Sequence, residues 1–207
     1  MDPISFDNIN CVIFDFAFTL CSELYFKEIG IESESKITEF IFRGDNIKKW
    51  SDPWMSGELT SKDICKYLSD NLPFSSDDIY SALCRGCSHL DMNQEVYNFA
   101  KALAISEKKT ALVTINADIF SQIVVPQNGF DSIFDIIVNS ADEHEIDKGK
   151  LLQYSLDLFG SDITFGTSLL IDDSPIVDWF RAQGGYAYRY TDDDSFGEWM
   201  KTNIQSV

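Results

Sequence analysis

Apolar residues fall along this chain in two rhythms. Short apolar runs closed by polar residues occur at Cys11–Phe16, Thr110–Ile115, Ile136–Val138, Ser168–Ile171 and Tyr186–Tyr190. That pattern predicts strands buried on both faces. Between the later runs, apolar positions recur at helical spacing over Val96–Ser106, Ala117–Val125, Lys150–Phe159 and Ile176–Ala182, and Gly184-Gly185 follows the last as a helix stop. Strands alternating with helices predict an α/β fold, a parallel sheet covered on both faces.

From about Thr19 to Leu90 the rhythm changes. This interval offers no convincing strand but four helical stretches, Ser22–Ile29, Ser35–Phe42, Ser61–Leu72 and Ser76–Leu83. Thr60-Ser61-Lys62-Asp63 and Ser75-Ser76-Asp77-Asp78 carry the hydroxyl and acid spacing of helix N-caps. A helical insertion of about 70 residues between the first two strands is expected, with residues 20–90 forming it and residues 1–19 and 91–207 forming the core.

Composition narrows the function classes. The chain has 207 residues, 44% of them hydrophobic, enough to bury a core. No apolar run approaches the roughly 18 residues of a membrane-spanning helix. Met1–Asn10 is acidic and polar, unlike a secretory signal, so a cytoplasmic location is expected. A formal charge of −18 repels nucleic acid and anionic membranes, and argues against either as a broad-surface partner. The five cysteines are an odd number and read as reduced thiols rather than a disulfide framework. Cys84-Arg85-Gly86-Cys87 is a single CxxC, without the second pair or the well-spaced histidines that zinc wants, and reads as a helix end punctuated by Gly86.

Four polar signals fall at or just beyond the carboxyl ends of predicted strands, where open α/β sheets place ligands. They are Asp15 with Thr19, Thr114, Lys148, and the pair Asp172-Asp173. A cation between Asp15 and the aspartate pair would have oxygen ligands, which suits Mg²⁺. It would let an anionic phosphoryl group approach a carboxylate. Thr114 can donate to a phosphoryl oxygen, Lys148 can offset charge in the transition state, and Asp15 can attack as nucleophile.

The order and spacing of these residues resemble the haloacid dehalogenase-like hydrolase superfamily. Ile13-Phe14-Asp15 with Thr19 resembles its first motif and strand-end Thr114 its second. Asn139-Ser140 followed by Lys148 resembles the third, and Leu170-Ile171-Asp172-Asp173-Ser174 the fourth. The 99-residue interval between Asp15 and Thr114 matches a helical cap after the first strand, and Trp54–Thr60 resembles cap segments of the phosphatase-like branch. The resemblance implies a Rossmann-like core with three layers, and a small phosphorylated molecule as substrate. It also implies Asp15 as nucleophile and Mg²⁺ ligand, the Ala17 carbonyl and Asp173 as further ligands, and Asp172 close behind them. Lys150 is the alternative to Lys148.

One departure stands out. Most phosphatases of this superfamily carry an acid/base aspartate two residues after the nucleophile, and usually a glycine next; here the two are Ala17 and Phe18. Losing a general acid/base costs about 10²- to 10⁴-fold in rate. Three readings follow: a slow phosphatase, a phosphonatase-like C–P hydrolase with a Schiff-base lysine among Lys48, Lys49 and Lys62, or an impaired homologue that binds a phosphorylated ligand or a protein. A carbon–halogen hydrolase fits less well, because that branch does not use the metal for which Asp172-Asp173 is arranged. Arg43, Lys48, Lys49, Trp50 and Trp54 are the suggestive side chains for substrate selectivity.

Overall fold

Cys11–Phe14 (β1) has all four residues buried, as a central parallel strand requires. In the computed structural model, which describes residues 6–23 and 25–204, it is the middle of a five-stranded sheet. The other strands are Lys109–Thr114 (β2), Ile136–Asn139 (β3), Ser168–Asp172 (β4) and Tyr186–Arg189 (β5). Their order is β3-β2-β1-β4-β5 and every pairing is parallel. Part of the Met1–Asn10 reading (residues 1–5) and Leu24 in the Ser22–Ile29 stretch lie outside the described residues.

Alternation along the strands sorts the core onto two faces. Cys11 and Ile13 of β1 pack with Val113, Leu151, Leu170 and Phe180 on one side, whereas Val12 and Phe14 join Leu112, Phe99 and Ile171 on the other. The first face is covered by Lys148–Phe159 and Ile176–Ala182, the second by Gln94–Leu103 and Asp193–Asn203. This is the expected three-layer α/β arrangement.

Between β1 and β2 the regular structure of the described residues is helical: Ile31–Phe42 (α1), Asp52–Met55 (α2), Ser61–Ser69 (α3), Ser76–Ser88 (α4) and Gln94–Leu103 (α5). Both N-caps form as expected. Thr60 Oγ1 accepts from Asp63 N at 3.2 Å while the Asp63 carboxylate accepts from Thr60 N at 2.9 Å, and Ser75 Oγ accepts from Asp78 N at 3.1 Å. Past β2 come Val125–Asn128 (α6), Ser140–Glu143 (α7), Lys148–Phe159 (α8), Ile176–Ala182 (α9) and Asp193–Asn203 (α10).

Several expectations shift. Among the described residues of the Ser22–Ile29 stretch, only Lys27–Ile29 is helical, as a short turn. The segment expected as one helix from Ala117 is wound more widely over Phe120–Val124 before α6. Gly86 does not end its helix: α4 continues to Ser88, and a Cβ at position 86 would collide with the Tyr25 carbonyl. Its glycine serves a close chain approach. Helix α10 was not anticipated; Asp192 caps it by accepting from Ser195 N at 2.7 Å, and buried Phe196 fixes it on Phe99 and Tyr188, with ring centroids at 5.8 and 5.4 Å. All five cysteines are free thiols, as expected. No helix of the described residues is long and apolar enough to cross a membrane.

Candidate active site

Parallel pairing sets the carboxyl ends of the three central strands level. Phe14 pairs with Leu112 and Ile171, so Asp15, the next residue, stands beside the ends of both β2 and β4. Its N–H continues the ladder by donating to the Ile171 carbonyl at 3.0 Å. Asp172 ends β4, Thr114 ends β2, and Asp173 follows in the next turn. Single carboxylate oxygens of Asp15, Asp172 and Asp173 all lie within 4.8 Å of one another.

Lys148 enters from the first position of α8, where the Asp147 carboxylate caps the helix by accepting from Gly149 N at 2.9 Å. Its Nζ donates to Asp15 Oδ1 at 2.6 Å and to the Val113 carbonyl at 2.6 Å, and stands 3.5 Å from Asp172 Oδ2. Lys150, the alternative, points away: its side chain is 67% exposed and pairs with Glu145 at 2.7 Å. Of the two lysines, Lys148 is the one that meets the carboxylates.

The remaining contacts hold the carboxylates in place. Ser174 donates to Asp172 Oδ1 through its N–H at 2.8 Å and its hydroxyl at 2.6 Å, which leaves Oδ2 without a hydrogen bond. Thr19 Oγ1 accepts from Asp173 N at 3.1 Å and lies 3.5 Å from Asp173 Oδ1, so this residue ties the loop after β1 to the turn after β4. That loop is closed by Cys21 N donating to the Phe16 carbonyl at 3.1 Å and Phe18 N donating to the Cys21 carbonyl at 2.8 Å, which leaves the Ala17 carbonyl outside the ladder. Thr114 Oγ1 is fully buried and has no hydrogen-bond partner among the described residues. A hydroxyl left so costs about 1–3 kcal/mol, the cost that a ligand acceptor would remove.

Burial pushes the Asp15 carboxyl up to about 6; the Lys148 ammonium opposes that shift and the Asp172 charge adds to it. Burial likewise raises Asp173, with Asp172 reinforcing it. For Lys148, burial pulls the ammonium down, but Asp15 and Asp172 outweigh it and hold it above its ordinary value. At neutral pH Asp15 is therefore mostly ionised beside a firmly charged lysine. Asp172 Oδ2, buried and without a hydrogen bond, and a donor set made only of oxygen fit a hard divalent cation such as Mg²⁺.

Phe18 occupies the position after Ala17 with a φ of 59°, in the left-handed region that glycine adopts without cost. Beside this loop lies a cavity of about 430 Å³, lined by residues that include Ala17, Phe18, Phe42, Trp54, Ile115 and Asn116. Of the side chains expected to govern selectivity, only Trp54 lines it. Arg43, Lys48 and Lys49 are exposed elsewhere, and Trp50 stacks on Tyr67 at 3.7 Å between centroids.

Sequence reasoning missed the contacts that hold the insertion against the strand ends. Asp118, just past β2, accepts from Ser61 N at 3.0 Å and from the Ser61 hydroxyl, a second cap on α3. Ser140 Oγ donates to the Met55 carbonyl and His144 Nδ1 meets the Ser56 carbonyl, at 2.7 and 2.9 Å. Gly57, with a φ of 72°, packs flush on the Ala141 carbonyl. Gly57, inside the quoted Trp54–Thr60 segment, was the available signal; nothing local marked Asp118.

No protein-family model and no curated protein matches the sequence. Solved structures do. A HAD family enzyme from Bacteroides thetaiotaomicron, in complex with magnesium and inorganic phosphate, superposes with a TM-score of 0.65 at 17% identity, over 88% of this chain and 94% of that one. A predicted HAD-like family hydrolase from Porphyromonas gingivalis gives 0.71 at 15% identity, over 96% and 99%. A dehalogenase gives 0.62 at 12% identity, over 96% and 92%. At such identities the likeness is one of architecture, carried by nearly the whole of each chain: this protein has the fold of the haloacid dehalogenase-like (HAD) hydrolases.

Proposed function

We propose that the protein is a Mg²⁺-dependent phosphohydrolase of the HAD superfamily, acting on a small phosphorylated molecule through an aspartyl-phosphate on Asp15. The observation that carries this reading is the convergence of Asp15, Asp172 and Asp173 around Lys148, with an unpartnered Thr114 hydroxyl at the neighbouring strand end. The bound magnesium and phosphate of the Bacteroides enzyme with the same fold support it. Residues 20–90 act as a cap domain over a core of residues 1–19 and 91–207. Five free thiols suit a reducing compartment such as the cytoplasm.

Asp15, the Ala17 carbonyl and Asp173 would hold Mg²⁺, with Asp172 beside them. The ion supplies positive charge that lets an anionic phosphoryl group meet a carboxylate. Asp15, as the carboxylate, contributes an oxygen that attacks phosphorus as the bond to the leaving oxygen breaks. Lys148 stabilises the charge that accumulates, and the Thr114 hydroxyl donates to a phosphoryl oxygen. Water then hydrolyses the aspartyl-phosphate, regenerating Asp15 and releasing phosphate. Ala17 carries no proton to give the leaving oxygen and no carboxylate to activate that water, so both steps are slow and good leaving groups are favoured.

The same methyl group favours a second reading, an impaired homologue that binds a phosphorylated ligand or a protein without turning it over. A phosphonatase has less support: Lys48, Lys49 and Lys62 are exposed, the last two lie over the rings of Trp50 and Tyr80, and none lines the cavity. The test is hydrolysis of aryl and acyl phosphates with and without Mg²⁺, together with trapping of the Asp15 adduct. Asp15→Asn should abolish turnover, and Asp173→Asn should weaken the rise in melting temperature with Mg²⁺. Full activity in Asp15→Asn overturns the assignment; Mg²⁺-dependent binding of phosphate without hydrolysis of any ester selects the second reading.

A further inference from the structure

The cavity beside the loop after β1 says more about the substrate than the reacting groups do. Ala17 and Phe18 follow Asp15 by two and three residues, and Ile115 and Asn116 directly follow Thr114; all four line it. A leaving group on a phosphoryl centre between Asp15 and Thr114 has this space as its neighbour. Its volume of about 430 Å³ falls within the roughly 300–1,000 Å³ range of small-molecule sites. An apolar cavity of about 150 Å³ already accepts benzene, so a fused pair of rings can be housed.

Charge decides what kind of body fits. No lysine, arginine or histidine is among the described lining residues, and the two carboxylates there are Glu23 and Glu34. Glu23 is engaged, accepting from Lys27 Nζ and Asp91 N at 2.6 Å each. Glu34, on α1, is in no ion pair among the described residues. A second anionic group on the substrate would meet no cation and at least one unneutralised carboxylate. The rest of the lining is largely apolar, and two of its aromatic residues are unusually exposed: Phe18 at 54% and Phe42 at 40%. Exposed rings that line a concave space are the rings a flat apolar ligand would cover.

Building on the phosphohydrolase reading, we propose that the substrate is a phosphomonoester of an aromatic, uncharged or cationic alcohol, with its ring system held in this cavity. Nucleotides with further phosphates, sugar bisphosphates and phosphorylated carboxylic acids are excluded by charge. Thr38, half-buried on α1 and lining the cavity, is a position where one substitution can reverse that selection.

The experiment pairs turnover with a binding readout that needs no chemistry. With Mg²⁺, kcat/KM for 2-naphthyl phosphate should exceed that for the same ester carrying a ring carboxylate by about 10-fold or more, a ratio set by roughly 1.4 kcal/mol of differential interaction. In parallel, equilibrium dialysis should show 2-naphthol binding the full chain more tightly than 2-naphthoate. Thr38→Lys should shrink or invert both ratios, and Thr38→Val, which adds no charge, should preserve them. Selective binding of 2-naphthol that Thr38→Lys abolishes, without hydrolysis of any ester, refutes the phosphohydrolase reading and leaves the cavity assignment standing. Hydrolysis of esters with no preference against the carboxylated one, or equal binding of naphthol and naphthoate, overturns the substrate class.

Discussion

Replacing Lys148 with methionine isolates the electrostatics of the site. The substitution keeps the apolar stem and removes the ammonium from between Asp15 at 2.6 Å and Asp172 at 3.5 Å. The side chains of Lys148, Asp15 and Asp172 are only 11%, 10% and 1% exposed, so solvent cannot take over the pairing. Removing one partner of a buried pair costs about 3–5 kcal/mol. For a chain of this length each kcal/mol lowers the melting temperature by about 2–4 °C, so a loss of roughly 6 °C or more is expected at pH 8. The pH dependence follows from Asp15, whose carboxyl burial already raises to about 6 against the pull of Lys148. Without the lysine that value rises further. Below it Asp15 is protonated and needs no cation, so the penalty is smaller at pH 5 than at pH 8; it grows as pH rises through 6 and the carboxylate ionises. Millimolar Mg²⁺ should recover part of the loss at pH 8, while on the proposed mechanism turnover should stay abolished. Thermal melts followed by circular dichroism at both pH values, with and without Mg²⁺, measure all of this. A variant that melts with the parent at pH 8, or loses more at pH 5 than at pH 8, refutes the buried charge pairing.

Ala17→Asp should raise turnover of an alkyl phosphate by about 10-fold or more by restoring an acid/base, more so when combined with Phe18→Gly, which relaxes the left-handed residue; steady-state kinetics on both variants decide it. No gain in either variant would mean that the loop cannot deliver a carboxylate to the leaving oxygen. Gly57→Ala combines a left-handed backbone with a Cβ driven into the Ala141 carbonyl, and should cost at least about 2 kcal/mol in denaturant unfolding. A neutral effect would show that the insertion is not held at that contact.

The α/β class was readable because its signal is local. Cys11–Phe14 and Thr110–Thr114 are short apolar runs, and a strand buried on both faces must be one. The two N-caps at Thr60 and Ser75 were readable for the same reason, since a cap is satisfied within four residues of itself. Asp15, Thr114, Asp172 and Asp173 could be expected together because parallel strands present their carboxyl ends on one side, whatever the loops do between them, and Lys148 joins them from the start of α8. Helix α10 was not readable: what fixes it is Phe196 against Phe99, a contact between residues distant in sequence.

Sequence alone left Lys148 and Lys150 as alternatives, two residues apart with the same chemistry. The start of α8 separates them: it directs Lys148 onto Asp15 and the Val113 carbonyl and leaves Lys150 to Glu145 at the surface. Gly86 looked like a helix stop, because a glycine's local signal is freedom of φ; only packing against the Tyr25 carbonyl revealed that the missing Cβ mattered. Arg43, Lys48, Lys49, Trp50 and Trp54 drew attention by type, but of these only Trp54 lines the cavity, which is made by residues that follow Asp15 and Thr114 together with side chains from α1 and α2. Residue type and spacing along one chain mark which groups are candidates for chemistry, because the end of a buried strand shows locally as a change from apolar to polar residues. Which of them face each other, and across what space, depends on long-range packing that no local pattern encodes.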